Sequence, residues 1–331
     1  MTSNPTAASD TMPTFDRLLV ATDFSVASQA ACRTAVDTAF ALGASLFILH
    51  VFNAASVPAV ANSSADASKA ENDAIRSDGL DTPSLYEQCR QSLDELRRQA
   101  ALVGVQCEAI LGKGAPTAVI LETIANKKID LTIMGTSALH GLERIVFDST
   151  TEAVLRQAPC PVLTVGPRAR KPKQTLQTLG PVVFATDFHF STIHAIRYAA
   201  CLSQLTESPL HCLHVMPRTL EACSECQAAP TIMSEALQEL AAESGVVFEA
   251  PICATTYGSE VSTAVVDYAR QQKAKLIVLG VRRASLEASQ THLHIAYRII
   301  TEAPCPVLTM AFASQPDVKI EPVKRKTPAL A

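Results

Sequence analysis

Along the chain, nearly continuous apolar runs of strand length alternate with stretches whose apolar positions recur at helical spacing. The runs RLLVAT, LFILHV and DLTIM lack the in-and-out alternation of a strand with one wet face. Strands covered on both faces read this way. The pattern predicts strands near 17–22, 45–51, 106–111, 130–134 and 161–165, with helices near 25–42, 84–102, 115–126 and 149–157. Strands alternating with helices in this order imply an open parallel α/β sheet.

The pattern then repeats. VATDFS at 20–25 is answered by FATDFH at 184–189, and ILHVFN at 48–53 by CLHVMP at 212–217. Asp23 and Asp187, like His50 and His214, stand 164 positions apart. DLTIMG matches KLIVLG, and QAPCPVLTV matches EAPCPVLTM; here Gly135 and Gly280, and Pro159 and Pro304, stand 145 apart. The difference, 164 − 145 = 19, is a net shortening between the second and fourth strands of the second copy, where loops absorb length changes that cores do not. Strands of that copy are expected near 182–186, 210–215, 247–253, 275–279 and 306–310.

The domain organisation read from this is a disordered start at 1–14, a first domain at 15–167, a basic linker at 168–179, a second domain at 180–312 and a basic flexible tail at 313–331. Residues 54–83 form an Ala/Ser/Asp-rich insertion. Loops of that length are functional lids or disordered, and the composition favours disorder.

Composition narrows the function classes. Lys+Arg 28 against Asp+Glu 32, a net charge of −4 and no Trp give no mark of a nucleic-acid binder. The ten cysteines lie mostly in apolar runs such as APCPVL, as small buried hydrophobes in a reducing cytosol do. The first residues lack a basic segment followed by an apolar core, and no run approaches the roughly 18 apolar residues of a membrane span. A cytoplasmic protein without a membrane partner is expected.

In an open parallel sheet, ligands bind beyond the carboxyl ends of the strands, where strand order reverses. Asp23 follows the first strand, Gly135 follows the fourth, and His50 and Val51 close the second. If strands one and four are neighbours, Asp23 and the loop from Gly135 line one crevice. VATDFS and FATDFH, the LHV at the end of each second strand, the MG and LG after each fourth, and the two APCPVL segments together resemble the universal stress protein family, twice over nearly the whole chain. The resemblance implies two tandem five-stranded parallel sheets of order 3-2-1-4-5 with helices on both faces, Rossmann-like. It also implies pairing through the fifth strands PVLTV and PVLTM, giving an internal pseudo-dimer or a homodimer.

Nucleotide-binding members of that family carry G-x-x-G-x(9)-G-[ST] after the fourth strand. Here the motif falls on Gly135, Ala138, Asp148 and Ser149, so two of its three glycines are replaced. In the second copy it falls on Gly280, Arg283, Leu293 and His294, which keeps only the first. The resemblance implies an adenine-nucleotide site, for ATP or a relative, at Ala21, Thr22, Asp23, Val51, Met134, Gly135, Ala138, Asp148, Ser149 and Thr150. Asp23 would face the ribose, the Val51 backbone the adenine, and Met134 the same pocket.

Glycine serves where backbone approaches phosphate closely or takes positive φ. Ala138 tolerates that better than Asp148, whose carboxylate competes with phosphates for the positive end of the helix beginning near Ser149. Its second use, holding Mg²⁺ together with the phosphates, ranks lower. Adenosine or a monophosphate suffers least, and the second copy is expected to hold no nucleotide.

Plainer roles stand beside these. Ser149 and Glu152 form a capping box, weighed equally with phosphate contact. Asp23 and Ser25 suit the start of the first helix. His50 and His214 are expected to be satisfied strand-end histidines. Cys223 and Cys226 form a lone CxxC without a second ligand pair, read as loop cysteines with a reversible disulfide as the alternative. His292 and His294, near Arg282 and Arg283, are read as a solvated surface.

No complete Walker A sequence, serine elbow or HExxH motif appears, so no enzymatic activity is expected. The functional expectation is a cytoplasmic, nucleotide-responsive stress module. The rivals are a scaffold acting through protein partners and a weak adenine-nucleotide hydrolase or adenylyl-transfer enzyme.

Overall fold

A computed structural model describes residues 13–52, 82–136, 149–169, 180–188, 194–221, 228–244, 251–283 and 289–313. The insertion up to residue 81, Ala138, Asp148, Cys223, Cys226, residues 170–179 of the linker and both chain ends lie outside them.

The first copy comprises β1 (Arg17–Ala21), α1 (Val26–Leu42), β2 (Ser45–Phe52), α2 (Thr82–Leu102), β3 (Cys107–Lys113), α3 (Pro116–Lys127), β4 (Leu131–Gly135), α4 (Ser149–Gln157) and β5 (Val162–Val165). The second follows as β6 (Val182–Ala185), α5 (Ile196–Leu205), β7 (Leu210–Pro217), α6 (Ala229–Ser244), β8 (Ile252–Gly258), α7 (Val261–Gln271), β9 (Leu276–Arg283), α8 (Ser289–Glu302) and β10 (Val307–Ala313). A single 3-10 turn, Arg218–Leu220, follows β7.

The strands form one ten-stranded sheet, ordered β3-β2-β1-β4-β5-β10-β9-β6-β7-β8. Each half is parallel and has the expected 3-2-1-4-5 order. The halves meet where β5 and β10 pair antiparallel, Leu163 opposite Leu308, with the Thr309 hydroxyl donating to the Val162 carbonyl at 3.2 Å. The fifth strands thus join the two copies within one chain.

The unbroken hydrophobicity of the strands follows from this layering. Leu18 and Val20 pack with α1, while Leu19 between them packs with α3 and α4. Leu46 and Ile48 likewise alternate with Phe47 and Leu49 between the two cores. Burying each such side chain contributes about 1.5–3 kcal/mol. Helix α1 begins with Ser25 accepting a hydrogen bond from the Ser28 amide, and it ends at Gly43, whose φ of 64° is the left-handed conformation glycine adopts freely.

The second copy departs most from expectation at its element boundaries. Of the strand expected near 247–253, residues 247–250 lie outside the described residues; β8 runs Ile252–Gly258, directly after Pro251, whose missing N–H cannot serve a ladder. It therefore matches β3 at the 145-residue offset, and the 19-residue shortening lies wholly between the second and third strands. β9 continues three residues past Gly280 to Arg283, paired with Ala311, Phe312 and Ala313 of β10. α8 begins at Ser289, five residues before His294, the position equivalent to Ser149.

Candidate functional site

The chain leaves β1 through a strained turn. Phe24 has φ 63°, a conformation costing a non-glycine residue about 1–2 kcal/mol. The turn is held by the Phe24 amide donating to the Thr22 hydroxyl at 3.0 Å and the Ser25 amide donating to the Asp23 carboxylate at 3.0 Å. His50 sits beneath it, its Nδ1 2.7 Å from the Thr22 carbonyl and its ring 4.5 Å from that of Phe24. His50 is accordingly a satisfied strand-end residue. Burial works to raise the Asp23 carboxyl, but hydrogen bonds from Ser25 and Ser28 outweigh it and hold the group below its ordinary value.

Beside this turn, β2 outlasts β1. The Thr22 amide donates to the Leu49 carbonyl at 2.9 Å, so the Leu49 peptide faces β1. Strand alternation turns the Val51 peptide to the same side, but the β1–β2 pairing ends at Ala21 and Leu49. Val51 therefore presents one donor and one acceptor to the cleft.

These groups open on a cavity of about 230 Å³. Its walls include Ala21, Thr22, Asp23, Val51, Met134, Gly135 and Thr150, which the sequence had placed together. Ser149 stands at the exposed start of α4, outside the wall. Glu152, the capping partner expected for it, accepts from Arg156 at 2.8 Å.

The sequence reading did not assign Pro116, Ile120, Ser28 or Thr151 to the cavity. Pro116 and Ile120, one helical turn apart, form its apolar side. Their signal was available, because Pro116 opens a helix directly after a strand's carboxyl end. Ser25, Pro116 and Thr150 lie at the starts of three helices, so three positive dipole ends converge here.

Gly135 also has a packing reason. A Cβ there would lie 2.2 Å from the Ala27 carbonyl oxygen and 2.9 Å from the Ser28 nitrogen, both backbone atoms of α1. The glycine lets α1 pack directly on β4. Among the described residues, no group of three or more His, Cys, Asp or Glu is placed to hold a metal ion.

The second copy repeats the scaffold. Phe188 has φ 58°, its amide donates to the Thr186 hydroxyl at 3.0 Å, and His214 Nδ1 lies 2.9 Å from the Thr186 carbonyl. A cavity of about 240 Å³ lies there too, lined by Asp187, Val215, Val261, Val265, Leu279, Ile295 and their neighbours. The loop is not repeated. Of the positions at which the motif was placed, Arg283 belongs to β9, while Leu293 and His294 lie inside α8. Arg282 is likewise in β9 and His292 in α8, so neither pair sits in a loop.

Comparison with known proteins bears on both copies. The family model described as the universal stress protein family matches residues 14–166 and again 179–310. A universal stress protein of Thermus aquaticus is 31% identical over 156 residues, 46% of this chain and 98% of that protein. One from Methanocaldococcus jannaschii is 38% identical over 90 residues, 27% of this chain and about half (51%) of that protein. Over both copies, the crystal structure of a universal stress protein from Archaeoglobus fulgidus superposes with a TM-score of 0.66 at 19% identity, covering 90% of this chain and 98% of that one. At that identity the likeness concerns the fold alone. No helix among the described residues is long and apolar enough to cross a membrane.

Proposed function

The chain belongs to the universal stress protein family, and from that premise we propose that it is a cytoplasmic stress-response module whose first copy binds an adenine nucleotide. The observation that carries this reading is the Val51 peptide edge and the Asp23 carboxylate opening on one cavity with the first turn of α4. Adenine lies between Pro116, Ile120 and Met134, with its polar edge on the Val51 peptide. A ribose hydroxyl donates to Asp23, kept ionised by its serine neighbours. A phosphate takes hydrogen bonds from the α4 amides and the hydroxyls of Ser149 and Thr150, where the helix dipole favours an anion. The compact cavity suits adenosine and AMP best, since about 230 Å³ is below the roughly 300–1,000 Å³ of ordinary ligand pockets. Magnesium enters only with additional phosphates.

The role is binding rather than turnover. Steady nucleotide hydrolysis that disappears in Asp23→Ala would count against it. The direct test is the melting temperature of the full chain titrated with adenosine, AMP, ADP and ATP, with and without Mg²⁺. A ligand at a hundred times its Kd stabilises by about 2.7 kcal/mol, which a melting curve resolves. An upward shift largest for AMP is expected. A melting temperature unmoved by every nucleotide at millimolar concentration would overturn the reading and leave a scaffold acting through protein partners in its place.

A further inference from the structure

We propose that the second cavity binds a different class of molecule: an uncharged, mainly apolar compound with one amide-like edge. The two cavities match in size, about 230 and 240 Å³, and they match position by position. At the 145-residue offset, Pro116 and Ile120 correspond to Val261 and Val265, and Met134 to Leu279, so the apolar side is preserved. The opposite end is not. The lining residues Thr150 and Thr151 become Ile295 and Ala296, replacing two hydroxyl groups by hydrocarbon, and Val281 adds a further apolar side chain to the second cavity. Val281 and Ala296 are buried.

The backbone changes with the side chains. Only the first four amides of a helix lack a partner within it. In α8, which starts at Ser289, these precede Ile295 and Ala296, whose own amides are spent on the preceding turn. The helix start is therefore about 7.5 Å farther along than in the first copy, at 1.5 Å per residue. Among the described residues, this wall offers a phosphate neither the free amides nor the hydroxyl groups that Thr150 and Thr151 supply in the first copy.

What persists, beside the turn with His214 and the exposed Asp187, is the strand edge. The Thr186 amide donates to the Leu213 carbonyl at 3.0 Å, and the β6–β7 pairing ends at Ala185 and Leu213. The Val215 peptide is thereby turned toward the cavity, one donor beside one acceptor. Its complement is a lactam or a comparable edge carrying both. The hydrocarbon walls select against charge, whose burial without partners is costly. Apolar cavities of about 150 Å³ stay dry and take up benzene, so this larger one admits a small bicyclic ring. The proposal holds whether or not the first copy binds nucleotide.

The probe is carbostyril, an uncharged bicyclic lactam, titrated into the full chain by isothermal titration calorimetry. One site is expected, undisturbed by millimolar AMP. Ala296→Phe fills the cavity and is expected to abolish binding, with folding checked by its melting curve. Ile295→Thr, a gentler change should the first not fold, is expected to weaken binding about tenfold, the low end for one polar-for-apolar exchange in a pocket. Absence of binding at millimolar carbostyril, displacement by AMP, or unchanged affinity in the folded variants would each overturn the proposal.

Discussion

The two cavities share a turn, a histidine, an aspartate, a strand edge and an apolar side, and they part at the end where β4 and β9 leave the sheet. The cause lies one strand away. After β5 the first copy reads Gly166-Pro167, and proline cannot continue a ladder. β4 then has no partner past Val165, and the chain departs after Gly135 into a connection of thirteen residues before α4. At the same offset the second copy reads Ala311-Phe312-Ala313, which extends β10 and gives Val281, Arg282 and Arg283 a partner. Only five residues then separate β9 from α8. The comparison teaches that a loop at a ligand site is set by the strand beside it as much as by its own residues.

The largest expected effect tests what the shared glycine is for. Gly135→Ala drives a Cβ into the backbone of α1, and a loss near the top of the about 1–3 kcal/mol range for overpacking is expected in urea denaturation without ligand. Unchanged stability with nucleotide binding lost would instead return Gly135 to the phosphate. Next, Phe312→Pro gives the second copy the first copy's break. A loss of about 2 kcal/mol is expected, and hydrogen exchange should show Val281–Arg283 losing protection. Retained protection would separate the β9 extension from its β10 partner.

A third experiment converts the first cavity toward the second. In Thr150→Ile with Thr151→Ala, AMP is expected to bind about tenfold more weakly, the scale of one hydrogen bond to a charged group, while adenosine changes little. Equal losses for both ligands would place these hydroxyl groups away from the phosphate.

The smallest effect concerns Asp23. Its folded value lies below that of an ordinary aspartate, so the stabilisation it supplies is complete above the ordinary carboxylate range and is lost as pH falls through the lower folded value. For an exposed group this amounts to a few tenths of a kcal/mol. Asp23→Asn should therefore be slightly less stable than the native chain at neutral pH, with the gap closing in acid. A gap that widens below pH 4 would reverse the sign of the argument.

Much of this was legible in the chain. The duplication follows from motifs at strand ends; the strand order and the grouping of Asp23, Val51, Met134 and Thr150 were implied by the family resemblance those motifs carry, and a parallel sheet brings such carboxyl ends to one edge. Periodicity also located α4 to the residue. It did not locate the ends of β9 and α8, since MG and LG look alike and the difference between them is written at residues 166–167 and 311–313. Nor could it explain Gly135, whose neighbour is Ala27, more than a hundred positions earlier.

By itself, then, the sequence determined two α/β copies and the candidate groups of each, because hydrophobic period and turn chemistry are local properties. Only the tertiary structure decided how far β9 runs, that α1 rests on Gly135, that β5 and β10 join the copies, and that one cavity ends in hydroxyl groups and the other in hydrocarbon. Each of those outcomes depends on a partner distant in the chain, and a hydrogen-bond ladder or a close packing contact exists only once that partner is in place.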